Sequence, residues 1–181
     1  MTYTEDFIEK MQRTEENLWW EDTSKLSELN GAAEDFCFKA NPEGKIASLF
    51  IYHQLMIEDL KLLIPYINLS IQALLYPTEI YFKDFQKVSK FNDIREYYKY
   101  TIEFKGTANI ISLASGINKL RNDYGHQLKD KWIYSDCEDE LINLQPDYEK
   151  FHHAWGQGLN EIRKIIERAK KRDEIIKLNI K

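Results

Sequence analysis
Seven glycines and four prolines in 181 residues supply too little turn chemistry for the many short strands of an all-β fold, while the Leu, Ile, Glu and Lys content favours helices. Cysteine is scarce as well. Cys37 and Cys137 stand far apart and at no metal-ligand spacing, which predicts reduced thiols in a cytoplasmic protein and excludes a disulfide framework. A leader with a basic and then an apolar segment is missing: MTYTEDFIEKMQRTEENLWW carries acids there instead, so secretion is not expected. Long apolar runs are missing too. The run at 62–67 is broken within a few residues by polar groups, which predicts no bilayer span and no membrane partner. Gly-rich phosphate loops, H-E-x-x-H and Cys/His zinc patterns are all absent, and neither a cofactor nor a metal ion is expected.

Net positive charge is lacking: the formal charge is −5, which argues against coating nucleic acid through bulk electrostatics. The distribution is uneven. Residues 161–181 hold eight basic against four acidic residues, a local +4, whereas the first forty-five hold eleven acidic against five basic, a local −6. One end of the molecule can approach phosphates and the other repels them.

What is present is one core's worth of apolar residues, 43% of the chain, with no repeat, low-complexity run or Gly/Ser linker to divide it. A single helical domain over 1–181 is expected, with an N-terminal helical extension over 1–44 and a core over 45–181. Phe7, Met11, Leu18 and Trp19 have roughly helical spacing, and Thr2 and Glu5 are in capping-box order. A polar break at 21–25 precedes a shorter helix through Leu26, Leu29 and 32–39, closed by the turn NPEG at 41–44. Ile46, Leu49, Phe50, His53, Met56, Ile57, Leu60, Leu63, Ile64 and Ile67 then form one apolar stripe at three- and four-residue steps. Pro65 is expected to kink or end that helix. Residues 69–100, with Pro77 and many aromatics, fit neither period and predict irregular structure with one or two short helices. A strong helix is expected from near Thr101, with Ile110, Leu113, Ala114, Ile117, Leu120 and Tyr124 as its stripe. Asp136 suits the N-cap of a short helix, CEDELINL, and Pro146 the start of a last long helix burying Phe151, Trp155, Leu159, Ile162 and Ile166. The fold class that follows is an all-α bundle of about four major helices.

The stretch LRNDYGHQL, 120–128, concentrates the chemistry. In an ideal helix Arg121 and His126, five apart, differ by about 140° around the axis, so they share a ligand only if the helix changes between them. Gly125 is the natural place, because glycine takes the left-handed conformation that ends helices, and fraying there would let His126 swing back toward Arg121. Arg121 supplies a permanent fork-shaped cation for phosphate, His126 a group that moves protons near neutral pH, and Asn122 a polar group to orient either. That kit serves attack of an RNA 2′-hydroxyl on the neighbouring phosphate without a metal. The same residues also fit an ordinary helix end, with Arg121 paired to a surface carboxylate, His126 capping the C-terminus and Asn122 in water.

A helix with a small-residue-rich apolar stripe, then Leu120, Arg121, Asn122, three further residues and His126, all within a helical bundle, resembles the HEPN superfamily, whose hallmark is an arginine, a polar residue and a histidine four to six positions on. By helix order the resemblance covers about 46–169, while the specific motif is Arg121, Asn122 and His126; Gly125 stands where many members have alanine. It implies a HEPN-like bundle in which these three residues are catalytic. Many members are metal-independent endoribonucleases of toxin–antitoxin or phage-defence type, active as homodimers on RNA and in some cases held by a cognate antitoxin. Others, including relatives of mannitol-operon repressors, are non-catalytic regulatory or interaction modules, and that alternative stays open. A di-metal bundle is a third reading, from Glu149 and His152 in E-x-x-H order, but Asp123 and His126 give only D-x-x-H where a second such pair and two further glutamates are required. His53 on its apolar stripe reads as a hydrogen-bonded core residue placed near the motif helix, and His152 and His153 beside Trp155 as packing and surface residues. The aromatics of 76–100 fit base stacking, core packing or a dimer contact.

Overall fold
The computed structural model describes residues 9, 12–13, 16, 23–39, 41–75, 90–101, 103–127, 139 and 141–179. Its principal helices are α1 (Thr23–Phe38), α2 (Pro42–Leu75), α3 (Phe91–Thr101), α4 (Thr107–Gln127) and α5 (Leu144–Asn179). No strand occurs among the described residues, so the chain is all-α as expected. Glu9, Gln12, Arg13 and Glu16 are helical too, but Phe7, Met11, Leu18 and Trp19, on which the first expected helix rests, lie outside the described residues. So do Asp136, Cys137, Glu138 and Glu140 of the expected short helix, while its 141–143 form a turn that leads into α5.

The NPEG stretch opens α2 more than it closes α1. The side chain of Asn41 accepts from the Gly44 amide at 2.7 Å while its carbonyl accepts from Lys45 at 3.1 Å, which makes Asn41 the N-cap and puts Pro42 in the first helical position, where a missing N–H costs nothing. Gly44 has to be glycine for a local reason: a Cβ there would sit 2.5 Å from the Phe36 carbonyl oxygen, where α1 ends against the start of α2.

From that cap α2 runs for 34 residues, and Pro65 does not end it. Burial explains why. Leu60, Leu63, Ile64, Tyr66, Ile67 and Leu69 are all buried on both sides of the proline, so each half is held by neighbours and the lost bond to the Lys61 carbonyl is tolerated within the helix. The hydroxyl of Tyr98 on α3 donates to the preceding carbonyl, Leu60, at 2.6 Å. At its far end α2 is closed by α5, since Arg172 donates from Nη1 to Leu74 and from Nη2 to Ala73, which meets carbonyls a helix end leaves without donors.

Helices α1, α3, α4 and α5 all pack on α2, and α4 also packs on α5. Helix α3 comes from the aromatic stretch, which the structure divides: Phe91, Ile94 and Tyr98 are core, Tyr100 is exposed, and 76–89 lie outside the described residues. Helix α4 starts at Thr107, six residues later than expected from the stripe, because Gly106 turns the chain with φ of 101°, and Thr107 Oγ1 accepts from the Phe104 amide at 3.0 Å. Ile110, Ala114, Ile117 and Tyr124 are buried on α4 as its stripe requires, with Leu113 and Leu120 half-buried beside them. On α5 Phe151, Leu159, Ile162 and Ile166 are core and Trp155 is half-buried.

Two glycine substitutions in helices should act with opposite sign. Gly44→Ala forces a Cβ against a backbone carbonyl and should cost about 1–3 kcal/mol, whereas Gly156→Ala on α5, where a Cβ meets nothing within 4 Å, should gain up to about 1 kcal/mol from helix propensity. Urea unfolding followed by circular dichroism measures both.

Candidate functional site
Helix α4 does not break at Gly125; it continues through Gln127. The expected swing of His126 toward Arg121 therefore does not take place, and in a continuous helix the two point about 140° apart. The guanidinium moves instead. Arg121 Nη1 donates to Asn122 Oδ1 at 3.1 Å, and Asn122 shares a helix face with His126 four residues on. The guanidinium lies alongside Gly125, 3.8 Å from the place a Cβ would occupy, which is ordinary contact, so alanine at this position would leave Arg121 where it is. Its other side faces Phe50 of α2, with Cζ 5.7 Å from the ring centroid, a cation–π contact that holds the charge in place. Arg121 and Asn122 are half-buried and His126 is exposed.

Helix α2 also brings His53 to this end of α4, as its stripe position suggested. His53 Nε2 lies 3.1 Å from Asn118 Oδ1, and Asn118 precedes Arg121 by one helical turn. Burial lowers the His53 pKa below its ordinary 6.5, the charge of Arg121 lowers it further, and the bond to Asn118 opposes them. The ring is accordingly neutral at pH 7. Asn118 was not singled out from sequence, although the spacing of Asn118, Arg121 and Asn122, at i, i+3 and i+4, is a signal for one polar face.

A second polar cluster lies between α2 and α5. Asp59 is buried, and its carboxylate sits 3.1 Å from His152 Nδ1 and accepts from the Tyr148 hydroxyl. Trp155 Nε1 donates to the Asp59 carbonyl at 2.7 Å. The rings of Tyr52, Tyr148, His152 and Trp155 stack in sequence, with centroids 4.5, 6.0 and 5.3 Å apart. Sequence reasoning missed Asp59, whose one signal is an acid on a face otherwise occupied by Tyr52, Met56 and Leu63. His152 is thereby a partner of a buried acid, more than a surface residue. Glu149 is exposed, and among the described residues no three His, Cys, Asp or Glu side chains converge as metal ligands. His153 lies 2.9 Å from Gln157 on the exposed side of α5. Among the described residues no helix is long and apolar enough to cross a membrane.

The Asp59–His152 pair makes folding sensitive to pH. Burial raises the Asp59 pKa above its ordinary 3.8 against the pull of His152 and Tyr148, and the bond to Asp59 raises the His152 pKa above 6.5 against burial. In both groups the folded state holds the proton more tightly than the unfolded one. The stabilisation from His152 is therefore complete below pH 6.5 and lost as pH rises through its elevated folded value. Urea midpoints of the native chain should fall over that window, and His152→Gln should flatten the fall. In Asp59→Asn the His152 imidazole should titrate below its native value, as read from its Cε1–H resonance in NMR.

No family model, curated protein or solved structure matches the chain, so its functional reading rests on the residues themselves.

Proposed function
We propose that this chain is a HEPN-like, metal-independent endoribonuclease in which Arg121 and His126 are catalytic and Asn122 supports them. The observation that carries the reading is the placement of the Arg121 guanidinium: half-buried, seated against Phe50 and bonded at 3.1 Å to Asn122, which precedes the exposed His126 by four residues. A cation pre-positioned in this way stabilises charge that develops on a phosphate without reorganising at the moment of reaction. The 2′-oxygen of one ribose attacks the adjacent phosphorus as its proton passes to an imidazole. The bond to the 5′-oxygen breaks, that oxygen takes up a proton, and the products are a 2′,3′-cyclic phosphate and a 5′-hydroxyl. Arg121 offsets the charge on the non-bridging oxygens throughout.

One histidine per chain serves one proton transfer, so an isologous homodimer with two α4 ends at a common cleft supplies the acid and the base together. The 140° separation of Arg121 and His126 within a chain fits such sharing, since the arginine of one copy and the histidine of the other then meet at the same phosphate. A toxin or phage-defence role, with an antitoxin as a further partner, belongs to the same reading. The formal charge of −5 favours the second reading, a non-catalytic HEPN-like regulatory or interaction module.

Purified protein should cut single-stranded RNA in EDTA and leave cyclic-phosphate ends, and it should run as a dimer in light scattering. Arg121→Ala and His126→Ala should each slow cleavage by roughly 10²-fold or more while shifting stability by only about 1 kcal/mol or less. Cleavage that survives both substitutions, or that appears only on adding Mg²⁺ or Mn²⁺, overturns the proposal; a folded chain with no cleavage leaves the interaction module.

A further inference from the structure
Two amides beside Arg121 have their acceptor atoms already engaged. Asn122 Oδ1 accepts from Arg121 Nη1, and because a guanidinium only donates, the Asn122 NH2 group is turned away from it as a donor. Asn118 Oδ1 faces His53 Nε2 at 3.1 Å. With the amide oxygen toward the ring, Nε2 carries the imidazole proton and the Asn118 NH2 is likewise kept for another acceptor. His53 is in turn held neutral by burial and by the nearby Arg121 charge, which fits a ring that keeps a single proton for this one bond.

Asn118, Arg121 and Asn122 fall at i, i+3 and i+4 of α4, so the two NH2 groups and the guanidinium emerge from one half-buried face. Donors grouped around a fixed cation match the oxygens of a phosphate better than any neutral or cationic ligand. We infer that Asn118, oriented by His53, is a second ligand beside Arg121 for one phosphodiester of single-stranded RNA. The inference takes the identity of its ligand from the ribonuclease reading, but it concerns binding and does not require cleavage. His53 is a positioning residue in it, acting through Asn118.

The test uses the full chain and a short, fluorescently labelled 2′-O-methylated RNA, which offers the phosphates but no free 2′-hydroxyl to attack. Anisotropy should show that Asn118→Ala and Asn118→Asp weaken binding at least about tenfold, as expected for a lost hydrogen bond to a charged group. The Asp variant keeps the shape and an acceptor for His53, so a failure to fold does not confuse the result. Because an amide carries no charge, Asn118→Ala should leave the slope of log affinity against log salt unchanged, whereas Arg121→Ala should reduce it by about one. His53→Ala should weaken binding, and His53→Gln, whose amide N–H reaches a similar place, should restore most of it; a purely space-filling role for His53 would not give that recovery.

Native-level binding by Asn118→Asp overturns the inference, as does failure of the native chain to bind the oligonucleotide. If inorganic phosphate binds in an Asn118-dependent way and the oligonucleotide does not, the ligand is free phosphate and the RNA assignment is overturned. The two proposals separate cleanly. Binding with the expected pattern but no cutting of unmethylated RNA removes the ribonuclease reading and keeps the phosphate ligand, while cutting that ignores Asn118 does the reverse.

Discussion

Helix α2 is packed against α1, α3, α4 and α5, and a helix buried round so much of its circumference must find partners for its polar groups inside the protein. Ser48 donates to the Ala33 carbonyl of α1. Asn68 accepts from Tyr97 of α3, and the Leu60 carbonyl from Tyr98. Asp59 takes His152, Tyr148 and, through its carbonyl, Trp155 of α5, and the last carbonyls take Arg172. Each bond has one geometry, so each sets where along α2 its partner helix can sit. Apolar contacts stabilise the bundle in bulk, and these directional contacts select a single register from the many that apolar stripes alone would allow.

The same helix treats two histidines in opposite ways. His53 faces an amide and an arginine, and burial wins, so its proton affinity drops. His152 faces a buried carboxylate, and the bond to that carboxylate outweighs the cost of burial, so its proton affinity rises. Residue type does not distinguish them. What differs is whether the partner across the interface carries a negative charge.

Several elements could be read directly from the order of residues. The stripes of α2, α4 and α5 have a strong three- and four-residue period, because one face of each must be apolar wherever it packs. Breakers were less informative. Pro65 lies inside α2 and Gly125 inside α4, since tertiary burial on both sides outweighs the local penalty at the proline, and a single helical glycine costs only about 1 kcal/mol. Gly106 does mark a helix boundary, at the start of α4, through a φ of 101° that its neighbours in sequence give no sign of.

By itself the sequence determined the helical class and the apolar faces, both of which depend on residues within a turn or two of one another. Tertiary structure alone decided that His53 meets Asn118, 65 positions away, and that Asp59 meets His152, 93 positions away. It also decided that Arg121 leans on Phe50 and Asn122 while His126 stays on another side of the helix. The reason is physical: periodicity reports which face of a helix is buried, but the partner of a polar group on that face depends on how two helices cross. That crossing is chosen by the packing of the whole core and not by any short stretch of chain.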